Sequence, residues 1–144
     1  MEPARTSAQR KTDVLAKLSS EVDLWVASAD ATGDTYLIPL SYYWDGEALT
    51  ISTPRTSRTG RNLVRAGTAR VAIGATRDVV LIEGTVEVGA DPELQERHAQ
   101  ATGFDPRTLE DYVYLRITPR SVQAWREVNE LEGRWLMRRG AWLV

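Results

Sequence analysis

Between Asp23 and Trp125 the apolar residues recur mainly at every second position, in runs cut short by glycine, proline or Asp-Gly. A segment that alternates in this way can bury one face and wet the other only as an extended strand. The runs are "DLWVAS" (23–28), "TYLIPLSYYW" (35–44), "ALTIST" (48–53), "ARVAIGA" (69–75), "VVLIEGTVEV" (79–88) and "DYVYLRITPRSVQAW" (111–125). Tyr36, Ile38, Leu40, Tyr42 and Trp44 share one face of the second run, and Asp45-Gly46 supplies a hairpin turn before the third. Pro39 cannot donate to a ladder, which places its run at an edge or a bulge. Gly84 marks a bulge or a close backbone approach, and Pro119 a bend. Short helices punctuate the strands. One opens at Thr12 as N-cap after a loose tail over residues 1–8, one is closed by Gly67, and one runs from Asp91-Pro92 to about Gly103. The segment "REVNELEGRWLMRRGAWLV" is ambiguous between helix and extended chain. Five or six antiparallel strands with short helices predict a closed or nearly closed barrel, because closure removes exposed edges.

The 144 residues fit one domain, 1–144. Eighteen basic against twenty acidic residues leave a formal charge of -2, so no global field draws the chain to nucleic acid or to an anionic membrane. An oligonucleotide-binding barrel would need a basic strand face set with aromatics. There is no cysteine and one histidine, which leaves almost no raw material for a metal site or a nucleophile–base relay. No apolar run approaches the roughly 20 residues of a spanning helix, and the expectation is a soluble, cytoplasmic protein.

Any anion site must therefore be local, and "STPRTSRTGRNL" (52–63) is where charge collects. Arg55, Ser57, Arg58, Thr59, Arg61 and Asn62 surround a predicted helix start, whose free N–H groups and partial positive charge attract phosphate or carboxylate. The alternative is structural, with Ser57 or Thr59 capping the helix and the arginines in water. Neither a glycine–lysine phosphate loop nor a GxGxxG pattern is present. Elsewhere, Arg77-Asp78 reads as a turn closed by a surface ion pair. His98 shares a helical face with Leu94 and Ala101 and reads as a partly covered helix residue rather than a base. Trp125, Trp135 and Trp142 are candidates for packing an interface, and stacking on a flavin-like ring is their secondary role.

The run "ALTISTPRTSRTGRNLVRAGTARVAI" followed by "RDVVLIEGTVEV" resembles the strand–basic loop–helix–strand–strand core of the pyridoxamine 5'-phosphate oxidase-like split β-barrel superfamily. The likeness spans about Val22 to Trp125, and Pro39–Gly46 is similar to the matching hairpin of an actinobacterial flavin/deazaflavin oxidoreductase branch. The resemblance implies a homodimer with two FMN or F420 sites at its interface. It also implies that Thr53, Arg55, Ser57, Arg58, Arg61 and Asn62 take the cofactor phosphate. Many relatives of that branch carry a lysine three positions before the asparagine, where this chain has Thr59 beside Arg58. The basic strand pair of authentic pyridoxamine phosphate oxidases is missing from "YLIPLSYYW", which argues against vitamin B6 oxidation itself. An arginine-rich loop suits a long anionic tail and favours F420 over FMN.

The expected activity is hydride transfer by a flavin or deazaflavin to a small unsaturated or carbonyl-type substrate, the cofactor supplying the chemistry and no catalytic side chain being assigned. The alternative is a non-catalytic binder or carrier of a flavin-like anionic ligand. A homodimer would cover the strand faces of Tyr36, Tyr42, Val80 and Val86 and the tryptophan-rich C-terminal segment.

Overall fold

The computed structural model describes Met1–Val144. Three α-helices, α1 (Ser7–Ser20), α2 (Arg58–Ala66) and α3 (Pro92–Thr102), accompany nine strands. These are β1 (Asp23–Ala29), β2 (Thr35–Ser41), β3 (Tyr43–Trp44), β4 (Leu49–Pro54), β5 (Thr68–Ile73), β6 (Val79–Val88), β7 (Tyr112–Trp125), β8 (Trp135–Arg138) and β9 (Ala141–Trp142). All belong to one antiparallel sheet in the order β2-β1-β5-β6-β7-β4-β3, with β8 pairing β7 and β9 pairing β8. The 14-residue β7 is the spine. One side pairs with β6 along most of its length, and the other with β4 over Tyr112–Ile117 and then with β8 at Val122 and Gln123.

β2 and β3 stand at opposite ends of the strand order, yet only Tyr42 separates them in the chain. A sheet whose two ends are one residue apart has to curl until they meet, and this sheet is accordingly a split β-barrel. Tyr42 is 1% exposed, and its hydroxyl donates to Leu18 O at 2.9 Å while its N–H donates to Val22 O at 2.9 Å. These bonds divide the predicted 35–44 run in two, and only Tyr43 and Trp44 enter the hairpin with β4. That hairpin turns at Asp45-Gly46 as its sequence predicts, with Gly46 at φ 94°. Pro39 lies on the outermost strand. At Gly84 the β6–β7 register shifts, and a Cβ there would stand 2.6 Å from Thr118 O and 2.8 Å from Ile117 Cγ2.

Twenty buried side chains fill the barrel, among them Val26, Leu49, Ile51, Ile73, Leu115 and Leu136. Tyr42 and Val80 belong to this core at 1% and 2% exposure, so they are not the uncovered surface that the sequence pattern implied. Trp142 packs against the core and Trp135 is half-buried beneath Arg138, in a β8–β9 hairpin that folds back on its own chain. Trp25, by contrast, is half exposed.

α1 begins at Ser7 with Thr6 as its cap, so Thr12 lies inside the helix and the expected loose tail is shorter than eight residues. The cause lies far along the chain. Arg5 donates to the Glu130 carboxylate through its backbone N–H, Nε and Nη2 at 2.9, 2.9 and 2.7 Å, and Arg10, 4% exposed, donates to Glu130 O at 2.8 Å. Asp78 pairs with Lys17 and Arg126 rather than with its neighbour Arg77, which reaches Glu127. No helix is long and apolar enough to cross a membrane.

Candidate functional site

The 54–57 segment joining β4 to α2 is fixed by its own polar groups. Ser57 caps α2: its Oγ accepts from the Gly60 N–H at 3.0 Å, donates to Pro54 O at 2.6 Å and lies 3.2 Å from Thr53 Oγ1. Gly60 has to be glycine, because a Cβ there would run into Pro54 O. From the other side Asp111, at the start of β7, accepts from the Arg55 N–H at 2.6 Å through its carbonyl and from the Thr56 hydroxyl through its carboxylate. The C-terminal end of α2 closes on Gly67 in the left-handed conformation at φ 69°.

The structure divides the six predicted phosphate residues. Arg58, Arg61 and Asn62 line a depression of about 310 Å³ together with Asp30, Ala31 and Arg65. Thr53 lines a different cleft, on the β2 side of β4. Arg55 and Arg61 are exposed and their guanidinium groups have no hydrogen-bond or ion-pair partner in the fold. Arg58 lies 3.6 Å from Asp34 and 5.0 Å from the centre of the Tyr36 ring. Asn62 is 5% exposed, and its Nδ2 donates to Ser28 Oγ at 3.1 Å, tying α2 to β1. Thr59 is 1% exposed with its Oγ1 unpartnered. The structural reading holds as far as it goes: Ser57 is the cap of α2, and Arg55 and Arg61 beside it stand exposed to water.

Sequence reasoning missed Arg65, which donates to Ala29 O at 2.9 Å and borders the same depression. Its signal was available, since Arg58, Arg61 and Arg65 recur at the three- and four-residue spacing of one helical face. The donor set fits a phosphate. The start of a capped helix and two unpaired guanidinium groups stand within one short segment, with no carboxylate paired to Arg55 or Arg61.

The second cleft, of about 290 Å³, opens where the barrel is split, between Pro39–Ser41 on β2 and Ser52–Pro54 on β4. The last turns of α3, with Phe104 and Tyr112, close its outer side. His98 lines it at 1% exposure, so it is fully covered rather than partly covered as its helical position had implied. Its ring meets that of Tyr114 edge-on, with centroids 5.6 Å apart. Burial lowers the His98 pKa from its usual 6.5, and the Asp105 charge opposes that shift.

A curled antiparallel sheet split along one seam, with a capped basic helix start beside it, defines a class of small split-barrel proteins. The chain belongs to the pyridoxamine 5'-phosphate oxidase family, whose model matches residues 12–126. Among solved structures it is similar to a putative pyridoxamine 5'-phosphate oxidase from Listeria innocua, at 17% identity and TM-score 0.68 over 83% of this chain and 98% of that one. An F420 reductase matches at 18% identity and TM-score 0.60, over 74% and 93% of the two chains. The heme storage protein HutZ from Vibrio cholerae matches at 12% and 0.64, over 76% and 89%. No curated protein matches the sequence.

Proposed function

We propose that the protein is a flavin- or deazaflavin-dependent oxidoreductase of the cytoplasm, acting on a small unsaturated or carbonyl-type substrate. The observation that carries the reading is the α2 start, where a serine cap and the unpaired Arg55 and Arg61 meet in a chain of this family. Arg55, Arg58 and Arg61 would hold the cofactor's phosphate end, with Ser57 capping α2, Thr53 bonded to Ser57 from the adjacent cleft, and Asn62 fixing α2 to Ser28. The exposed pair of Arg58 with Asp34, at 3.6 Å, contributes at most about 1 kcal/mol, so Arg58 can be recruited by a stronger anion. When bound, the cofactor supplies the hydride chemistry, and the protein supplies placement and the exclusion of water. F420 is favoured over FMN, because Arg58, Arg61 and Arg65 form a stripe that a longer acidic tail can follow.

Titration with each cofactor tests this. A charge-assisted hydrogen bond contributes about 1.5–3 kcal/mol, so Arg55→Ala or Arg61→Ala should weaken binding by about 10- to 150-fold. Wild-type affinity in Arg55→Ala, Arg58→Ala and Arg61→Ala alike would place the site elsewhere. Carriage of the ligand without turnover is the second reading, supported by the likeness of the fold to a protein named for heme storage. Reduced cofactor that is bound tightly yet never reoxidised by a panel of enones and quinones would favour it.

A homodimer is part of the proposal. Trp25 faces Pro39 and Ala27 faces Leu37 across β1 and β2, and Trp25 and Leu37 are 51% and 59% exposed, leaving an apolar outer face. Light scattering should report a dimer that Trp25→Arg with Leu37→Arg converts to monomer; a monomeric wild type with cofactor present overturns this part.

A further inference from the structure

The barrel has a second, shorter opening, between β1 and β5. These strands pair only over Trp25–Ala27 and Arg70–Ala72, although β1 runs on to Ala29 and β5 begins at Thr68. Parity decides which backbone groups are left open there. In an antiparallel ladder each residue turns its N–H and C=O toward the same neighbour, and successive residues alternate between neighbours. Asp30 N–H donates to Asp34 O at 3.0 Å, and Pro39, which has no N–H, stands opposite Trp25. The even-numbered residues of β1 therefore bond β2, and the odd-numbered ones face β5. Ala29 lies past the last pair with β5, so its N–H and C=O open onto the gap, as do those of Thr68 on the far side.

Helix α2 answers only part of this. Arg65 Nη2 donates to Ala29 O at 2.9 Å, and Asn62 Nδ2 donates to Ser28 Oγ at 3.1 Å. The Ala29 and Thr68 N–H groups keep no ladder partner. Around them is a cavity of about 460 Å³, within the size range of ligand sites. It stays open because Ala27, Ala29, Ala66 and Ala69 line it with methyl groups too short to cross it.

The polar part of the lining is one-sided. Arg65 commits one N–H to Ala29 O and keeps the others, while Ser28 and Thr68 add hydroxyl hydrogens. The one carboxylate of the lining, Glu83, is held by Arg70 at 2.6 Å. Arg65, Arg70 and Glu83 together leave a single positive charge. Such a lining selects a group that accepts hydrogen bonds, donates none and carries one negative charge. A carboxylate has those properties, and a guanidinium meets its two oxygens as a fork. A phosphate dianion would face Glu83 without a second free cation.

We propose that this gap is a binding site for a small monocarboxylate, whose oxygens accept from Arg65 and from the N–H groups of Ala29 and Thr68 while its apolar body rests on the alanine methyls. The site lies at the C-terminal end of α2, away from the Ser57 cap, and its occupancy does not depend on the oxidoreductase reading.

Benzoate and its neutral isostere benzamide are titrated into the 15N-labelled, cofactor-free protein, and the Ala29 and Thr68 amide signals are followed by NMR. Benzoate should move both signals saturably, and benzamide should bind at least tenfold more weakly. Arg65→Gln, at an exposed position of α2, should raise the benzoate Kd at least tenfold. Ala66→Leu, also exposed, should do the same by filling the cavity without removing a polar group. Glu83→Gln removes the opposing charge and frees Arg70, so it should lower the Kd at least twofold. Amide signals that stay in place, equal binding of the two probes, or wild-type affinity in any of the three variants overturns the proposal. Cofactor affinity is measured separately on the same protein. Benzoate bound by a protein that takes neither FMN nor F420 leaves this site standing and removes the oxidoreductase reading, and the converse result does the reverse.

Discussion

Replacing Glu130 by glutamine is expected to destabilise the fold by about 3 kcal/mol at pH 7. The carboxylate is 3% exposed and accepts four hydrogen bonds, three from Arg5 and one from the Arg126 N–H at 2.8 Å. The Arg5 side-chain bonds are the largest cause of its depressed pKa, about 2 against 4.5 for an ordinary glutamate. A gap of 4.5 minus 2, at about 1.36 kcal/mol per unit, favours the ionised folded form by about 3 kcal/mol. Because the folded value lies below the unfolded one, this contribution is complete above pH 4.5 and is lost as the pH falls toward 2. Glutamine keeps the shape but turns an amide donor toward Arg5, and it leaves the buried Arg10 without a negative partner and Arg5 with Asp13 alone. Urea unfolding followed by tryptophan fluorescence should show the midpoint lowered by about 1–2 M for a slope of about 1.5–3 kcal/mol per molar. The wild type should also lose stability between pH 5 and pH 3 more steeply than the variant. A variant within about 0.5 kcal/mol of wild type at pH 7, the range of an ordinary surface change, would refute the account of this carboxylate as the clamp between the two ends of the chain.

Gly84→Ala should lower stability by about 1–3 kcal/mol, since the new methyl meets Thr118 O and Ile117 Cγ2 inside their contact distances; an unchanged melting temperature would show that the bulge yields freely. The His98 imidazole should titrate below 6.5 by NMR. Asp105, itself held at about 2 mainly by the Arg107 side chain, opposes that shift, and Tyr114 faces the ring as an uncharged phenol. With the folded pKa below the unfolded one, His98 costs the fold stability as the pH falls below 6.5, and a measured pKa at or above 6.5 would contradict its burial as the dominant cause.

Much of this fold is legible because its signals are local. The alternation in β5 and β6, the Asp91-Pro92 opening of α3 and the Asp45-Gly46 turn each depend on residues within a few positions, and each forms as its sequence predicts. What stayed hidden depends on distant partners. Thr12 was an adequate cap by local rules, but α1 starts six residues earlier because Glu130 holds Arg5 and Arg10. Alternation reveals that the 35–44 run has two faces, but not that Tyr42 leaves the ladder to bond Leu18. In the candidate site the Ser57 cap was legible, whereas the Arg58–Asp34 pair and the Asn62–Ser28 bond join elements that only the curled sheet brings together. His98 looked half-covered on its helix, and the sheet residue that covers its ring, Tyr114, lies sixteen positions on by number.

The spine position of β7 sets a schedule for how the chain can come together. Six strands precede it, and β4 waits for a partner that lies far downstream, Leu49 pairing with Ile117 and Thr53 with Val113. During synthesis at about 5–20 residues per second, β4 and β6 therefore spend several seconds with open hydrogen-bonding edges before the strand that closes both has left the ribosome. Pairings of such long sequence separation place this protein among the slower folders of its size. Nascent chains halted before Tyr112 would carry those unpaired edges into the cell, and that interval is when this sequence is most exposed to aggregation.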